Sequence, residues 1–181
     1  GLLENTIIVL YGDHDARLPR ADYNKLYNYN METHEFLTEE DPNYKEYDSF
    51  QYEVGRRVPF IIWTKDSKGN EKLNREITDV MGMYDVMPTL GNMLGFSNKY
   101  ALGHDIFNIK NNNIVVFPNG NWVTNKMYYN SQKEAYLSLS DEPITEEEIT
   151  KNSEYTNKLL DVSNDIIVFD LLNEKKSKEI S

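Results

Sequence analysis

The first strongly patterned stretch of the chain is apolar and β-branched: residues 6–11 read TIIVLY, and a glycine follows them. A run of this kind is typical of a central strand that is covered on both faces. The polar residues Asp13 and His14 come directly after the glycine. A second run, RVPFIIWT at residues 57–64, predicts another strand, and its proline lies near the start, where a strand tolerates it.

The segment between these two runs is polar and rich in tyrosine, and residues 21–52 show no steady period. This pattern predicts a long excursion from the sheet with some helix in it. Its tyrosines, together with Trp63 and Trp122, are expected to pack around the sheet, with a sugar-binding surface as the alternative. His34, the lone histidine of the segment, is expected to be exposed.

Helix and hairpin signals follow in the second half. In residues 78–95, an early proline at 88, spaced apolar residues and a closing glycine at 95 predict a short helix. Residues 114–117 predict a short strand, and Asn-Gly-Asn at 119–121 predicts a tight turn into a hairpin partner at Trp122 and Val123. Residues 67–70 carry turn chemistry.

The C-terminal region opens with a capping-box pattern, in which Thr145 is expected to cap a helix and Glu148 to reach back to the cap. The segment up to residue 160 is expected to be helical. Residues 165–172, DIIVFDLL, continue either as the end of that helix or as a strand, and the tail NEKKSKEIS is expected to be solvated. Together the patterns predict an α/β protein.

The composition fits a folded protein of one domain, or a large part of one, with 181 residues of which 39% are hydrophobic. There are 19 basic against 30 acidic residues, and the net charge of -11 argues against nucleic acid as the main partner. An anionic substrate would need a metal ion or a local cluster of cations. The absence of cysteine excludes disulfides, thiolate zinc sites and cysteine nucleophiles.

No stretch of the sequence approaches the roughly 18 apolar residues of a membrane helix, and its first residues lack the basic region of a signal peptide. Because a strand begins within a few residues of the start, we expect the chain to be a fragment of a longer protein. Any targeting or membrane segment is then expected outside this sequence.

Asp13 and His14 give the main chemical signal, because a carboxylate and a neutral imidazole are suitable ligands for zinc or manganese. A tight turn after a strand can aim both at one point above the sheet edge, where open α/β sheets bind ligands. An isolated Asp-His pair is more often a surface feature, so the pair alone does not decide. Arg56 and Arg57 precede the second strand, and Arg57 is a candidate for holding a phosphate, with a solvated arginine as the alternative.

Four motifs that follow one another along the chain favour the metal-site interpretation over a surface pair: TIIVLYGDH, RRVPFII, YDVMPTLGNMLG and LGHDIF. As a set they resemble the C-terminal half of the alkaline phosphatase and sulfatase superfamily. Within it, FPNGNWVTNKMYY at residues 117–129 and SNDIIVFDLL near the end are most similar to lipoteichoic acid synthase-type phosphoglycerol transferases. The resemblance implies a mixed sheet flanked by helices, with residues 1–110 in the catalytic domain and residues 111–181 forming a small C-terminal α+β subdomain and tail.

The resemblance implies that Asp13 and His14 are metal ligands, with manganese favoured over zinc, magnesium or calcium. The family's remaining glutamate ligand and its nucleophilic threonine lie upstream, so no catalytic nucleophile is expected here and the chain alone is expected to hold metal weakly or not at all. Asp15 begins a turn, Asp-Ala-Arg, that replaces the family's usual small or glycine-containing turn. His104 and Asp105, an alternative second metal pair, are expected to form a structural turn.

The function implied is transfer of glycerol phosphate from phosphatidylglycerol to a growing glycerol phosphate chain, by in-line displacement, at the outer face of a bacterial membrane. Attachment to the membrane is expected through a segment missing here, and the fragment alone is expected to be inactive. Two alternatives stay open: a sulfatase or phosphodiesterase of the same superfamily, and a non-catalytic binding or scaffolding domain.

Overall fold

The computed structural model describes residues 2–65, 74–109 and 113–173. The turn predicted at residues 67–70 and nearly all of the charged tail lie outside these residues. The chain divides into two compact units, Gly1–Thr78 and Asp79–Ser181. The functional division predicted between residues 110 and 111 stays a prediction.

The first unit is built on an antiparallel pair of strands that are far apart in sequence. Strand β1 pairs with strand β4, and Leu10 lies opposite Ile61. The elements in chain order are a 3-10 turn Leu2–Asn5, β1 Ile7–Tyr11, α1 Arg20–Tyr27, β2 Tyr29–Asn30, β3 Glu35–Phe36, α2 Ser49–Gly55 and β4 Phe60–Thr64. Both strands predicted from the apolar runs are confirmed, as is helix within the polar excursion. The short hairpin of β2 and β3 was not predicted.

The expectation that β1 is covered on both faces is wrong for the described residues. Ile8 and Leu10 are exposed and share one face with their cross-strand partners Trp63 and Ile61, which are also exposed. On the opposite face Ile7 and Val9 are half-buried, whereas Tyr11 at the strand end is exposed. Among the described residues β1 pairs with β4 alone, and the exposure of Ile8, Leu10, Ile61 and Trp63 means that no layer of the described residues buries this face of the ribbon.

The tyrosines of the excursion pack on one another. Tyr23 is buried, and its ring lies 4.6 Å from Tyr27, 5.5 Å from Tyr47 and 5.4 Å from Tyr52, measured between ring centroids. A Cβ atom at Gly55 would collide with the Tyr23 ring, so the end of α2 approaches the cluster as only glycine permits. These tyrosines thus have a packing role, as expected, but they pack on one another and not around the sheet.

The second unit combines a four-stranded antiparallel sheet, in the order β5-β6-β7-β8, with a long helix. Its elements are a 3-10 turn Met83–Asp85, α3 Val86–Leu94, β5 Val115–Val116, β6 Trp122–Val123, β7 Met127–Asn130, β8 Ala135–Ser138 and α4 Glu146–Val168. The α/β class is confirmed and is compatible with a C-terminal portion of a sulfatase-like fold. In place of one mixed sheet, the described strands form three small sheets that are all antiparallel.

Local signals predicted much of this unit correctly. Helix α3 ends at Gly95, which adopts the left-handed conformation at φ 76°. The Asn-Gly-Asn turn joins β5 and β6, with Gly120 at φ 83°. The second hairpin, β7 with β8, was not predicted.

Trp122 lies at the centre of the hydrophobic core of the second unit. It is fully buried in a cluster with Ile114, Val116 and Met127, and its ring stacks on Tyr129 at 5.2 Å. The indole N–H donates to Ser153 Oγ of α4 at 3.2 Å, so its one polar atom is satisfied. Apolar residues of α4, including Ile149, Leu159 and Leu160, pack on the same cluster.

Helix α4 begins as predicted but is anchored differently. Thr145 Oγ1 accepts the backbone N–H of Glu148 at 3.2 Å, which confirms the cap. The Glu148 carboxylate does not return to the cap; it accepts a hydrogen bond from Lys126 Nζ at 3.3 Å, because the fold brings the turn between β6 and β7, which carries Lys126, to this carboxylate. The helix runs to Val168, which decides the ambiguity at residues 165–172 in favour of a helix end. None of the described helices is both long and apolar enough to cross a membrane.

Candidate metal site

The metal candidates lie where β1 ends. The Gly12 N–H donates to the Pro59 carbonyl oxygen at 3.2 Å, which extends the strand pairing by one residue. A Cβ atom at Gly12 would lie 2.8 Å from Val58 Cβ, so the close approach of the two chains requires glycine. Beyond this point the backbone leaves the strand, and Asp13 and His14 project into solvent. The sequence placed both residues correctly at a strand end.

The two donor atoms face each other. Asp13 Oδ1 lies 3.7 Å from His14 Nε2, and their side chains are 86% and 51% exposed. His14 Nδ1–H donates to the Asp15 carbonyl oxygen at 2.6 Å, because a carbonyl can only accept. The remaining lone pair is then on Nε2, next to the Asp13 carboxylate. A carboxylate oxygen and an imidazole nitrogen are ligands that manganese and zinc both accept, and at this separation one ion can contact both, so the donor set fits a shared ion.

Asp15 follows these two residues in the sequence, but its carboxylate is already hydrogen-bonded. Arg56 donates through Nε to Oδ2 at 3.0 Å and through Nη2 to Oδ1 at 3.1 Å, and the Arg17 N–H also donates to Oδ2. The hydrogen bonds from Arg56 hold the pKa of the Asp15 carboxyl below its usual range. Asp15 is therefore unavailable as a third ligand. Among residues 2–65, 74–109 and 113–173, no three or more metal-ligating side chains come together.

The two arginines before β4 have different surroundings. Arg56 is engaged by Asp15 and by Glu53, and its guanidinium lies 5.7 Å from the centre of the Tyr52 ring. Arg57 is exposed, and within the described residues it makes no ion pair. Burial raises the pKa of Tyr23, and the positive charge of Arg57 opposes this rise, which places Arg57 near the tyrosine cluster. Its assignment to a phosphate stays a prediction.

The second candidate pair, His104 and Asp105, forms a structural turn as expected. The Asp105 carboxylate accepts hydrogen bonds from Asn92, Phe107 and Asn108. The His104 N–H donates to the buried carboxylate of Asp85 at 2.7 Å.

Other aromatic and histidine candidates are also placed. His34 is exposed at the turn between β2 and β3, as predicted, with φ 59°. Trp122 is fully buried, so it cannot form part of a sugar-binding surface, whereas Trp63 is partly exposed.

The contact that the sequence reasoning missed is the pairing of Asp15 with Arg56, 41 residues apart. The available signal was the unusual Asp-Ala-Arg turn after the strand together with an unexplained arginine before the second strand. A separation of this size leaves no local pattern to connect the two.

The fold and the site define a general class: an α/β protein that presents an aspartate and a histidine at the end of a strand. Comparison with known proteins narrows this class to one group of relatives. The chain is 32% identical over 181 residues to lipoteichoic acid synthase 1 of Bacillus subtilis (strain 168), covering 97% of this chain and 25% of that relative. It is 31% identical over 175 residues to lipoteichoic acid synthase 2 of the same strain, covering 95% and 24%. The lipoteichoic acid synthase of Staphylococcus aureus (strain USA300) is 29% identical over 183 residues, with 99% and 25% covered.

The chain is thus similar, along nearly its whole length, to a C-terminal part of the lipoteichoic acid synthases, which are members of the alkaline phosphatase and sulfatase superfamily. This confirms the resemblance inferred from the motifs. The chain spans about a quarter of the length of the curated relatives it matches. No protein-family model matches it.

Proposed function

We propose that this chain is the metal-ligand segment of a phosphoglycerol transferase of the lipoteichoic acid synthase kind, and that Asp13 and His14 bind a divalent ion, with manganese favoured. The observation that supports this most directly is the pairing of Asp13 Oδ1 with His14 Nε2 at 3.7 Å in a chain similar to those synthases along nearly its whole length. Both donors are exposed, so a metal ion and a substrate have access to them.

Each residue has a defined part in this proposal. His14 presents Nε2 because its Nδ1–H is donated to a backbone carbonyl, and Asp13 contributes a negative oxygen beside it. When bound, a divalent ion lowers the pKa of a hydroxyl nucleophile and stabilises charge on phosphoryl oxygens. Arg57 is the cation offered to an anionic headgroup, which the net charge of -11 would otherwise repel.

The proposed donor is phosphatidylglycerol and the acceptor is a growing glycerol phosphate chain, at the outer face of a bacterial membrane. The nucleophile and the remaining metal ligands are supplied by a longer protein that contains this segment. The chain alone is expected to have no transferase or phosphodiesterase activity, because only two donors meet among its described residues. A nucleophile other than threonine would shift the proposal to a sulfatase or phosphodiesterase.

The test uses the longer protein with Asp13→Ala and His14→Ala, and measures manganese-dependent release of diacylglycerol from phosphatidylglycerol vesicles. Both variants are expected to lose this activity with unchanged thermal stability, because both side chains are exposed. His34→Ala is the matched control, an exposed histidine of the same unit, and is expected to keep full activity. Wild-type turnover in either site variant would contradict the metal assignment.

A further inference from the structure

The loop that carries Asp13 and His14 is held from one side by helix α2. Residues 12–19 contain no helix or strand, so side chains must fix their course. Arg56, directly after α2, makes two hydrogen bonds to the Asp15 carboxylate. Tyr52, one turn earlier, donates its hydroxyl to the Leu18 carbonyl oxygen at 2.5 Å.

We propose that Asp15 and Arg56 form a positioning clamp that orients the His14 imidazole so that Nε2 faces the metal position. The inference rests on the proposed function and deepens it. The connection is short: the Asp15 side chain is fixed by Arg56, and the carbonyl of the same residue receives His14 Nδ1–H. Fixing the Asp15 backbone therefore fixes both the ring orientation of His14 and its tautomer.

The clamp starts from a helix whose first turn is capped. Helix α2 begins with a complete capping box, in which Asp48 accepts from two backbone N–H groups and the Gln51 side chain accepts from the Asp48 N–H. Arg56 lies against the Tyr52 ring at the other end of the helix. A guanidinium that binds a carboxylate through two parallel bonds sets an orientation as well as a distance.

The clamp also holds an unusual backbone conformation. Arg17 adopts φ 53°, which is unfavourable for a residue other than glycine. Its backbone N–H donates to Asp15 Oδ2 at 3.1 Å. Without the Asp15 carboxylate this conformation loses a partner that compensates for it. The Asp-Ala-Arg turn thus has its own means of holding the metal loop.

The first measurement needs no metal. Long-range ¹H–¹⁵N NMR spectra of the ¹⁵N-labelled 181-residue chain report the His14 tautomer, in a pH series that is extended upward until the imidazole signals no longer change. The Nδ1–H tautomer is expected to predominate in the wild type, and Arg56→Gln and Asp15→Asn are each expected to let the Nε2–H tautomer rise. Asp15→Asn keeps the shape of the side chain, so it tests the clamp even where Arg56→Gln does not fold.

The second measurement is Mn²⁺ titration of the longer protein that carries the same substitutions, because the remaining metal ligands are proposed to lie outside these 181 residues; free Mn²⁺ is followed by electron paramagnetic resonance. Loss of a group that orients a ligand typically weakens metal binding about 10-fold, and this is the decrease expected in both variants. The matched control is Glu53→Gln, which removes the other carboxylate on Arg56 and leaves both bonds to Asp15 in place. It is expected to behave as the wild type in both measurements.

The two readouts separate this inference from the proposed function. An unchanged His14 tautomer in folded Arg56→Gln and Asp15→Asn would overturn the clamp, even where Mn²⁺ still binds. A changed tautomer, with no Mn²⁺ bound by the longer wild-type protein, would support the clamp as a device that orients His14 and would count against the metal proposal. A tautomer change in Glu53→Gln equal to that in Arg56→Gln would also overturn the clamp, because the bonds to Asp15 would then not be its cause.

Discussion

In the unit Asp79–Ser181 the apolar residues of the sheet and of helix α4 pack together into a hydrophobic core. In the unit Gly1–Thr78, by contrast, most apolar residues on one face of the β1–β4 ribbon are exposed. Seven of the eight buried hydrophobic residues among those described belong to the second unit, and only Tyr23 belongs to the first. The candidate metal ligands lie in the first unit. The residues that offer chemistry and those that supply most of the stability are therefore separate, so variants of the two units should have different kinds of effect.

The largest expected effect is on the core of the second unit. Trp122→Ala removes a fully buried ring and should lower the free energy of unfolding by about 3–5 kcal/mol, measured by urea denaturation followed by circular dichroism. Trp63→Ala is the control in the first unit, where the indole is partly exposed, and should cost about 1 kcal/mol or less. Equal losses would contradict the difference between the two units.

The next effect concerns the buried Asp85. Its carboxylate accepts hydrogen bonds from the N–H groups of Gly82 and His104 and from the Asn113 side chain. Asp85→Ala leaves these donors without an acceptor and should cost about 2–4 kcal/mol in the same denaturation experiment.

His104→Ala is the matched control for Asp85→Ala, because the hydrogen bond to Asp85 comes from the backbone N–H at 2.7 Å and survives the substitution, while only the longer contact of the imidazole Nδ1 at 3.9 Å is lost. It should change the free energy of unfolding by about 0.5 kcal/mol or less. A loss as large as that of Asp85→Ala would show that the imidazole, and not the backbone, holds the turn.

A pair of strand substitutions compares the units directly. Val116→Thr places a hydroxyl in the buried cluster and should cost about 1–3 kcal/mol. Leu10→Thr makes the same kind of change on the exposed face of β1 and should cost about 0.5 kcal/mol or less. Thermal unfolding of both variants measures the difference, and a large loss in Leu10→Thr would mean that this face is covered in the 181-residue chain.

The smallest effect depends on pH. Burial raises the pKa of Tyr84 from 10.0 to about 12, and its hydroxyl accepts the Val116 N–H at 2.8 Å. Because the unfolded chain loses this proton near 10 and the folded chain only near 12, the neutral hydroxyl contributes its full stability below pH 10 and loses it as the pH rises to 12.

Tyr84→Phe should cost about 1–2 kcal/mol at neutral pH, since the Val116 N–H loses its acceptor. The difference in unfolding free energy between wild type and variant should shrink as the pH rises from about 10 to about 12. Urea denaturation at several alkaline pH values measures it. A difference that stays constant over this range would contradict the raised pKa.

Local signals fixed the elements that depend on neighbouring residues. The ends of α3, the cap at Thr145 and the turn at Gly120 were all predictable, because each depends on groups within about four residues of one another. The strand before Asp13 and His14 was predictable for the same reason. The hairpin of β7 and β8 was missed because no characteristic turn dipeptide joins its strands.

Contacts between side chains that are far apart in the sequence depended on the tertiary structure. Glu148 had a plausible local role in a capping box, yet it binds Lys126 in the turn between β6 and β7. Asp15 looked like a departure from a family turn, and only the folded chain brings Arg56 to it. The sequence does not decide whether Arg56 or Arg57 pairs with Asp15, because the local sequence pattern is the same in both cases.

By itself, the sequence determined the α/β class, the strand that presents Asp13 and His14, and the kinship with lipoteichoic acid synthases. The tertiary structure decided that these two donors face each other, that Asp15 is withdrawn from them by Arg56, and that one face of β1 is exposed. The physical reason is that strand formation and turns follow from short-range sterics and hydrogen bonds. Burial and ion pairing depend instead on which distant segments the fold brings together.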